Sequence, residues 1–408
     1  MKDKKTILVF IIGLFSVFWI RLLGVISIGE LIVLFFSILL FLGNGKRYLK
    51  NHRFRKLIVL LLLFLLGVVL SNLYNNAPSD DFAKGFGTVV MIMPNLFVAY
   101  WLLHDNVARI RYFVLGYLFS MLITNNLLTY FSYEQVLGYD ITNLEDFFAY
   151  RYAPLMLAVV ALFHYKYQKF ISVAMLFFGL FFLYGGSRNL FLIYELAGIL
   201  LLYIGKTTEQ NKEQKLANLR KAGMRIFLVV LVGGTLAYSG YKQLAMNGSL
   251  GEVAEEKYQE QASSKYGIIS GGRSEFFVGL YAAIKSPVFG YGSYAKDNGI
   301  NDEFANLIGA INYQGFEVEQ IKTHSHIVGF WVWNGILSLP FWIFVIGQLI
   351  LYLRKNICSV PQVMAYMLVS NILLLWNILF SPFADRISFS FVLIAMVTVN
   401  SNLLKKDA

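Results

Sequence analysis

Apolar runs long enough to approach bilayer thickness recur along this chain, and they constrain its fold more than any motif. A helix crossing the hydrocarbon core needs about 20 predominantly apolar residues. Runs of that order fall near 6–22, 25–43, 57–73, 85–103, 112–130, 152–165, 170–185, 189–205, 226–245, 336–353, 358–380 and 387–403. Of the 408 residues, 57% are hydrophobic and only 14% charged, with a mean hydropathy of +0.60. Soluble domains carry about 25% charged residues. Seven prolines are too few for a linker-rich chain. The expectation is an all-α polytopic integral membrane protein with about twelve transmembrane helices.

The one cysteine, Cys358, excludes an internal disulfide and a cysteine-based zinc cluster. Met1–Lys5 is basic, but no small-residue cleavage site follows the apolar stretch Ile7–Ile20, which therefore reads as the first span. The seventh and eighth runs are joined by little more than Gly185-Gly186-Ser187-Arg188, a tight helical hairpin.

A net charge of +11 read alone suggests nucleic acid, but its distribution argues otherwise. With the N-terminus in the cytoplasm, the inner segments are 1–5, 44–56, 104–111, 165–169, 206–225, 354–357 and 404–408. They hold 23 of the 35 Lys and Arg but only five of the 24 acids, namely Asp3, Asp105, Glu209, Glu213 and Asp407. The outer connections carry Asp80-Asp81, Glu134, Asp140, Glu145-Asp146, Glu252, Glu255, Glu256 and Glu260. That asymmetry is the positive-inside pattern. The positive charge is thus topological, directed at anionic inner-leaflet lipid rather than nucleic acid.

One connection, 246–335, is too polar in its first part to cross and too long for a turn. The chain divides accordingly into helices 1–9 over 1–245, a large outer loop over 246–335 carrying part of the site, and helices 10–12 with a cytoplasmic tail over 336–408. Within the loop, Ser274-Glu275 predicts a helix start. Phe276, Phe277, Leu280, Tyr281 and Ile284 follow at helical spacing, and Pro287 ends the helix. Such a helix is expected at the interface, half in lipid. There is no internal repeat and no low-complexity segment.

Charged groups in or beside a membrane are costly, so they mark candidate function. Arg188 sits at the outer tip of the seventh/eighth hairpin beside glycines that allow close approach of a ligand. Glu195 lies seven residues on, on the same helical face, and reads equally as half of a structural ion pair. Glu30 in the second span reads as structural. Arg273 follows Gly271-Gly272 and opens the loop helix; its bland alternative is a lipid-phosphate snorkel. Arg151 and Arg386 stand at the outer mouths of the sixth and twelfth spans. Four arginines facing one compartment make an anion site, because guanidinium forks onto phosphate oxygens.

His52, His104 and His164 fall in or beside inner connections and carry no assigned chemistry. His324 and His326 lie on the outer side, in Thr323-His324-Ser325-His326. Without a cysteine partner this pair is not expected to hold metal. A histidine with a pKa of about 6.5 suits a general base at neutral pH. Arginines plus a histidine fit a reaction with an anionic leaving group and a nucleophile that must lose a proton. A lipid diphosphate leaving a sugar as a sugar hydroxyl attacks meets both demands. Tyr291, Tyr294, Trp331 and Trp333 fit sugar stacking, and equally an interfacial aromatic belt.

Three stretches resemble the bacterial O-antigen polymerase/O-antigen ligase superfamily (Wzy/WaaL type). Gly186-Ser187-Arg188 is similar to its Gly-Ser-Arg element. Ser270-Gly271-Gly272-Arg273-Ser274-Glu275, followed by Pro287-Val288-Phe289-Gly290-Tyr291-Gly292, resembles its periplasmic helix and the turn after it. His324-Ser325, with Gly335-Ile336 eleven residues on, resembles its histidine and Gly-Ile elements. The likeness spans about 180–350. Leu337-Ser338 stands where the family has a small glycine, and Gly329 where it often has a polar group.

The resemblance implies a GT-C-type, metal-independent glycosyltransferase of the bacterial inner membrane, without a cofactor and with its site facing the periplasm. Undecaprenyl-diphosphate-linked oligosaccharide is then donor and acceptor, and a chain-length regulator protein is a possible partner. By the same resemblance Arg188 and Arg273 grip the diphosphate, and His324 orients or deprotonates the acceptor hydroxyl. Arg151, Glu195, His326, Arg386 and Tyr291 are secondary substrate-binding candidates. Polymerase is the favoured reading, and ligase, which transfers the polymer to lipid A-core, is the alternative. A lipid-linked oligosaccharide flippase fits less well, because transporters show repeated halves and midplane polar sites.

Overall fold

Lipid offers no partner to a backbone N–H or C=O, so apolar chain in a membrane closes its own hydrogen bonds as helix. The computed structural model describes residues 3–21, 25–43, 45–126, 148–184, 187–205, 207–208, 210–219, 221, 239–240, 242–249, 255, 258–259, 262, 273–308, 320–321, 323–383 and 385–402. Most of the ninth apolar run lies outside them, as do Gly185, Gly186, Ser270, Gly271, Gly272, the acids Glu134, Asp140, Glu145, Asp146, Glu209, Glu252, Glu256 and Glu260, and the side chain of Arg151.

Helices cover the other eleven apolar runs. They are α1 (Lys4–Phe15), α2 (Ile28–Leu42), α3 (His52–Tyr74), α4 (Ser79–Val90), α5 (Ile92–Leu103), α6 (Ile110–Asn126), α7 (Phe148–Phe163), α8 (Gln168–Tyr184) and α9 (Arg188–Ile204). The long loop contributes α10 (Ser274–Lys285), α11 (Ile300–Ile308) and α12 (His326–Asn334). After it come α13 (Leu339–Leu351), α14 (Met364–Phe380) and α15 (Arg386–Asn402). Among the described residues four helical stretches are long and apolar enough to cross a membrane: His52–Tyr74, Ser79–Leu103, Val107–Thr124 and Ile336–Asn356. The protein is helical and membrane-embedded.

Several runs yield helices shorter than a full crossing, for a local reason. The first run does not stay helical to residue 22. Helix α1 ends at Phe15, and Trp19–Arg21 pairs antiparallel with Val25–Ser27 (β1 and β2) in a short hairpin. Ser27 then caps α2 reciprocally. Its Oγ accepts from the Glu30 N–H at 3.2 Å, and Glu30 accepts from the Ser27 N–H at 3.1 Å.

Small residues let the helices approach closely, as packing between membrane helices requires. Gly13 on α1 lies against the backbone of Phe113, and Gly116 on α6 lies against the backbone of Phe10. A Cβ at either would overlap a carbonyl oxygen. At this end of the bundle the N-terminus is tied down. Lys5 donates to the Trp101 carbonyl at 3.0 Å and pairs with Asp105, while Arg109 bridges Asp3 and Asp105.

The opposite end carries a cap built from the long loop, with its own apolar cluster of Val278, Ala282, Ala283, Ala295, Ile300, Phe304, Ile321, Val328 and Val332. The stripe expected to face lipid is mostly absorbed here. Phe276, Phe277, Leu280 and Tyr281 pack against this cluster, and of the five only Ile284 is exposed, at 62%. Arg273 rather than Ser274 occupies the N-cap position of α10.

Two of the sequence motifs hold the cap together. The Pro287–Gly292 turn wraps the C-terminal end of α12. Tyr291 N–H donates to the Val332 carbonyl at 2.8 Å, Gly292 N–H to Trp333 at 3.1 Å, and Ile336 N–H to Val288 at 3.2 Å. The end of α3 staples both segments. Ser71 Oγ donates to the Trp333 carbonyl at 2.6 Å, Asn72 exchanges two hydrogen bonds with Ser293, and Asn75 donates to the Gly290 carbonyl at 3.2 Å. Gly290 (φ +69°) and Gly335 (φ +68°) are left-handed, and each lies against the other strand of this wrap, where a Cβ does not fit.

Candidate functional site

The C-terminal turn of α14 is the hub around which most of the sequence-singled residues gather. Its Trp376 and Phe380 form one face. The Arg273 guanidinium lies over both rings, at 4.7 Å and 5.0 Å from their centroids. Stacking uses the flat face of a guanidinium, whereas its N–H edges make the fork that grips oxyanions. The rings hold the guanidinium at this end of α14. Phe276, three residues after Arg273, packs on Phe380 at 5.4 Å and holds the start of α10 against α14.

The segment before α12 is anchored to the same turn. Ser325 caps α12, with its Oγ accepting from Val328 N–H at 3.2 Å and donating to the Ile378 carbonyl at 2.9 Å. His326 Nε2 donates to the Pro382 carbonyl at 3.3 Å. These bonds present His324 beside α10, where Nδ1 of its ring meets the Glu275 carboxylate. His324 keeps 52% of its side chain exposed. Desolvation by the surrounding protein, and second the charge of Arg273, hold its pKa below the ordinary 6.5. Both influences favour the uncharged ring, whereas the Glu275 carboxylate favours the protonated one.

A cavity of about 350 Å³ borders the other face of the turn. Asn377, Ser381, Asp385, His326, Asn189 and Tyr366 are among its polar lining, and aliphatic and aromatic groups from α6, α7, α9, α14 and α15 make up most of the rest. Asn189 directly follows Arg188, the half-buried first residue of α9. The structure thus brings Asn189 and Leu190 at the start of α9 and His326 to one cavity, with Arg273 on the far side of the same helix end and neither Arg188 nor His324 in the lining.

The secondary candidates separate. Arg386 is tied to Glu30, its Nε and Nη2 donating to the two carboxylate oxygens at 2.5 Å and 2.7 Å, with a further bond from Nη2 to the Val25 carbonyl at 3.1 Å. Glu30 is 1% exposed. A buried pair like this has its charge compensated, and losing one partner is strongly destabilising. Arg386 therefore ties α15 to the start of α2, with its charge compensated by Glu30. His326 is enclosed, its ring 5.4 Å from Trp342 and 5.0 Å from Phe383, which places it in the cavity wall and away from the open base position. Glu195 lies over Gly179 of α8, where a Cβ would overlap its carboxylate. Tyr291 packs against the cap cluster, and its backbone serves the wrap on α12. Tyr294 stacks against Trp333 at 4.8 Å. Arg151 lies on α7, with its side chain outside the described residues.

Sequence reasoning missed four contributors: Glu275 as a partner of His324, Ser325 as its anchor, and Trp376 with Phe380 as the platform for Arg273. Glu275 carried a signal, since it stands two residues from Arg273, but in sequence it reads only as a first-turn acid. No family model matches the chain, and a search of curated proteins finds no match. Fold and site together define a class: a helical membrane-embedded protein with an arginine and a carboxylate-paired histidine presented at one end of its bundle.

The pH dependence of a reaction that uses His324 as base follows from this geometry. Only the neutral ring accepts a proton, so the rate is full above the folded pKa and falls as pH drops through it. The acid limb is expected below pH 6.5, the ordinary histidine value from which His324 is lowered. A rate profile from pH 4 to 8 checks this; a midpoint above 6.5 would contradict it.

Proposed function

We propose that this protein is a membrane glycosyltransferase that polymerises undecaprenyl-diphosphate-linked oligosaccharide repeat units into a surface polysaccharide. One observation carries the reading: the guanidinium of Arg273, over Trp376 and Phe380, and the imidazole of His324, on the Glu275 carboxylate, stand at the same helix end. Anion grip and proton removal are then available within one site, as attack of a sugar hydroxyl with departure of a diphosphate requires. Arg188 opens α9 beside the cavity and, by the family resemblance alone, is taken as a second cation for the diphosphate. The resemblance of the three motifs to the O-antigen polymerase/ligase superfamily points to the same chemistry.

In this reading the chain has about twelve spans in a bacterial inner membrane, both termini cytoplasmic and the cap in the periplasm. The lysine and arginine bias supports that orientation. The Asp3–Lys5–Asp105–Arg109 network supports it too, because it puts two of the proposed inner segments together at the end opposite the cap.

The test is a proteoliposome supplied with lipid-linked repeat units and no imposed gradient. Products of two or more repeats on the lipid carrier are expected. Translocation without covalent growth would make the protein a flippase. A deletion strain separates the remaining alternative: a core bearing a single repeat unit means polymerase, whereas a bare core with polymer retained on the carrier means ligase.

A further inference from the structure

The His324–Glu275 contact joins two residues that are 49 positions apart in sequence, from the start of α10 and the segment before α12. Both are held by separate anchors. Glu275 lies in the first turn of α10, whose start is fixed by Arg273 on Trp376 and Phe380 and by Phe276 on Phe380. His324 is fixed by the bonds of Ser325 to Ile378 and of His326 to Pro382. The contact is made through Nδ1, so a carboxylate acceptor selects the tautomer that carries its proton there and its lone pair on Nε2. The charged groups facing the ring from α10 are Glu275 and Arg273. The neighbouring end of α14 contributes Trp376 and Phe380, and His326 turns away into its aromatic enclosure.

We propose that Glu275 is the positioning residue of His324, accepting its Nδ1–H so that Nε2 faces the acceptor hydroxyl as the base. This rests on the glycosyl-transfer reading above. In the transfer step the acceptor oxygen bonds to the anomeric carbon of the donor sugar as the bond from that carbon to the diphosphate oxygen breaks. The bonding electron pair leaves with the diphosphate, and the acceptor proton moves to Nε2. Glu275 takes no proton. It stays a carboxylate and holds the imidazolium until the proton is released to water, while Arg273, held over Trp376 and Phe380, serves the departing anion.

The test pairs a spectroscopic and a kinetic measurement on the full-length protein in nanodiscs. With 15N-labelled histidine, and the His324 signal assigned by His324→Gln, wild type is expected to show Nε2 unprotonated and Nδ1 protonated at neutral pH. Glu275→Gln keeps an acceptor oxygen but removes the charge. It is expected to preserve the tautomer and to lower the His324 titration midpoint, moving the acid limb of the rate profile with it. Glu275→Leu is expected to mix the tautomers and to slow transfer about 10- to 100-fold, as for groups that orient another side chain. An Nε2-protonated ring in wild type, or a His324 midpoint unmoved in Glu275→Gln, would overturn the proposal. The spectra do not depend on turnover. The expected spectra with no chain growth by wild type would overturn the glycosyl-transfer reading and leave the pairing supported.

Discussion

Arg273→Ala is expected to cut chain elongation by about 100- to 1,000-fold, the usual effect of removing one preorganised group that stabilises developing negative charge. The same change loses a cation–π stack worth only about 0.5–2 kcal/mol, too little to unfold the protein. Protein in the membrane fraction should therefore stay near wild type while product disappears. Arg273→Lys sharpens the experiment. It keeps a positive charge but loses the planar fork that lies over Trp376 and Phe380, so it should recover only a small part of the rate. Elongation in proteoliposomes, normalised to reconstituted protein, is the measurement. Near-wild-type activity in Arg273→Ala would remove this residue from the site and leave the stack as ordinary packing.

Gly335→Ala is expected to have its effect on folding rather than on chemistry. At φ +68° an alanine is strained, and its Cβ would collide with the carbonyl of Val288 and the backbone of Phe289. Strain of about 1–3 kcal/mol adds to an overpacking cost of similar size. Together these approach the whole stability of a marginal protein. Because the wrap of residues 287–292 on α12 also fixes the segment leading from His324, loss of the cap should lower both melting temperature and yield. Gly347→Ala is the matched control, since nothing lies within 4 Å of a Cβ there and the position is helical. Fluorescence-detected size exclusion after heating compares the two. Equal melting temperatures would mean that the wrap relaxes at little cost.

These two predictions divide the motifs that carry the family resemblance. Arg273 and His324 stand at the candidate site, whereas Pro287–Gly292 and Gly335-Ile336 grip one another and never reach it. In sequence all of them look alike, as short runs of glycine and polar residues at the right spacing. Arg386 and Glu30 show the opposite case. Read singly, one was a candidate anion binder and the other a lonely structural acid. They are 356 positions apart and neutralise each other, which only the packing of α15 beside α2 reveals.

Membrane residence, the helical class and the presence of helix in eleven of the apolar runs were legible in the sequence. Each depends on run length, apolar content and the backbone's need to bond within itself, all properties of contiguous residues. The early end of α1 was not legible, because Trp19–Arg21 is apolar enough to continue the run and leaves it only by pairing with Val25–Ser27. The site was legible as an inventory of charges on one side of the chain, not as an arrangement. Whether a buried or half-buried charge is held by a partner is decided by what distant segments place within about 4 Å of it, where low dielectric makes the pairing strong. The sequence by itself determined what this chain lives in and which charges it brings there. The tertiary structure decided which were neutralised, Arg386 by Glu30, and which were assembled at one helix end, Arg273, Glu275 and His324.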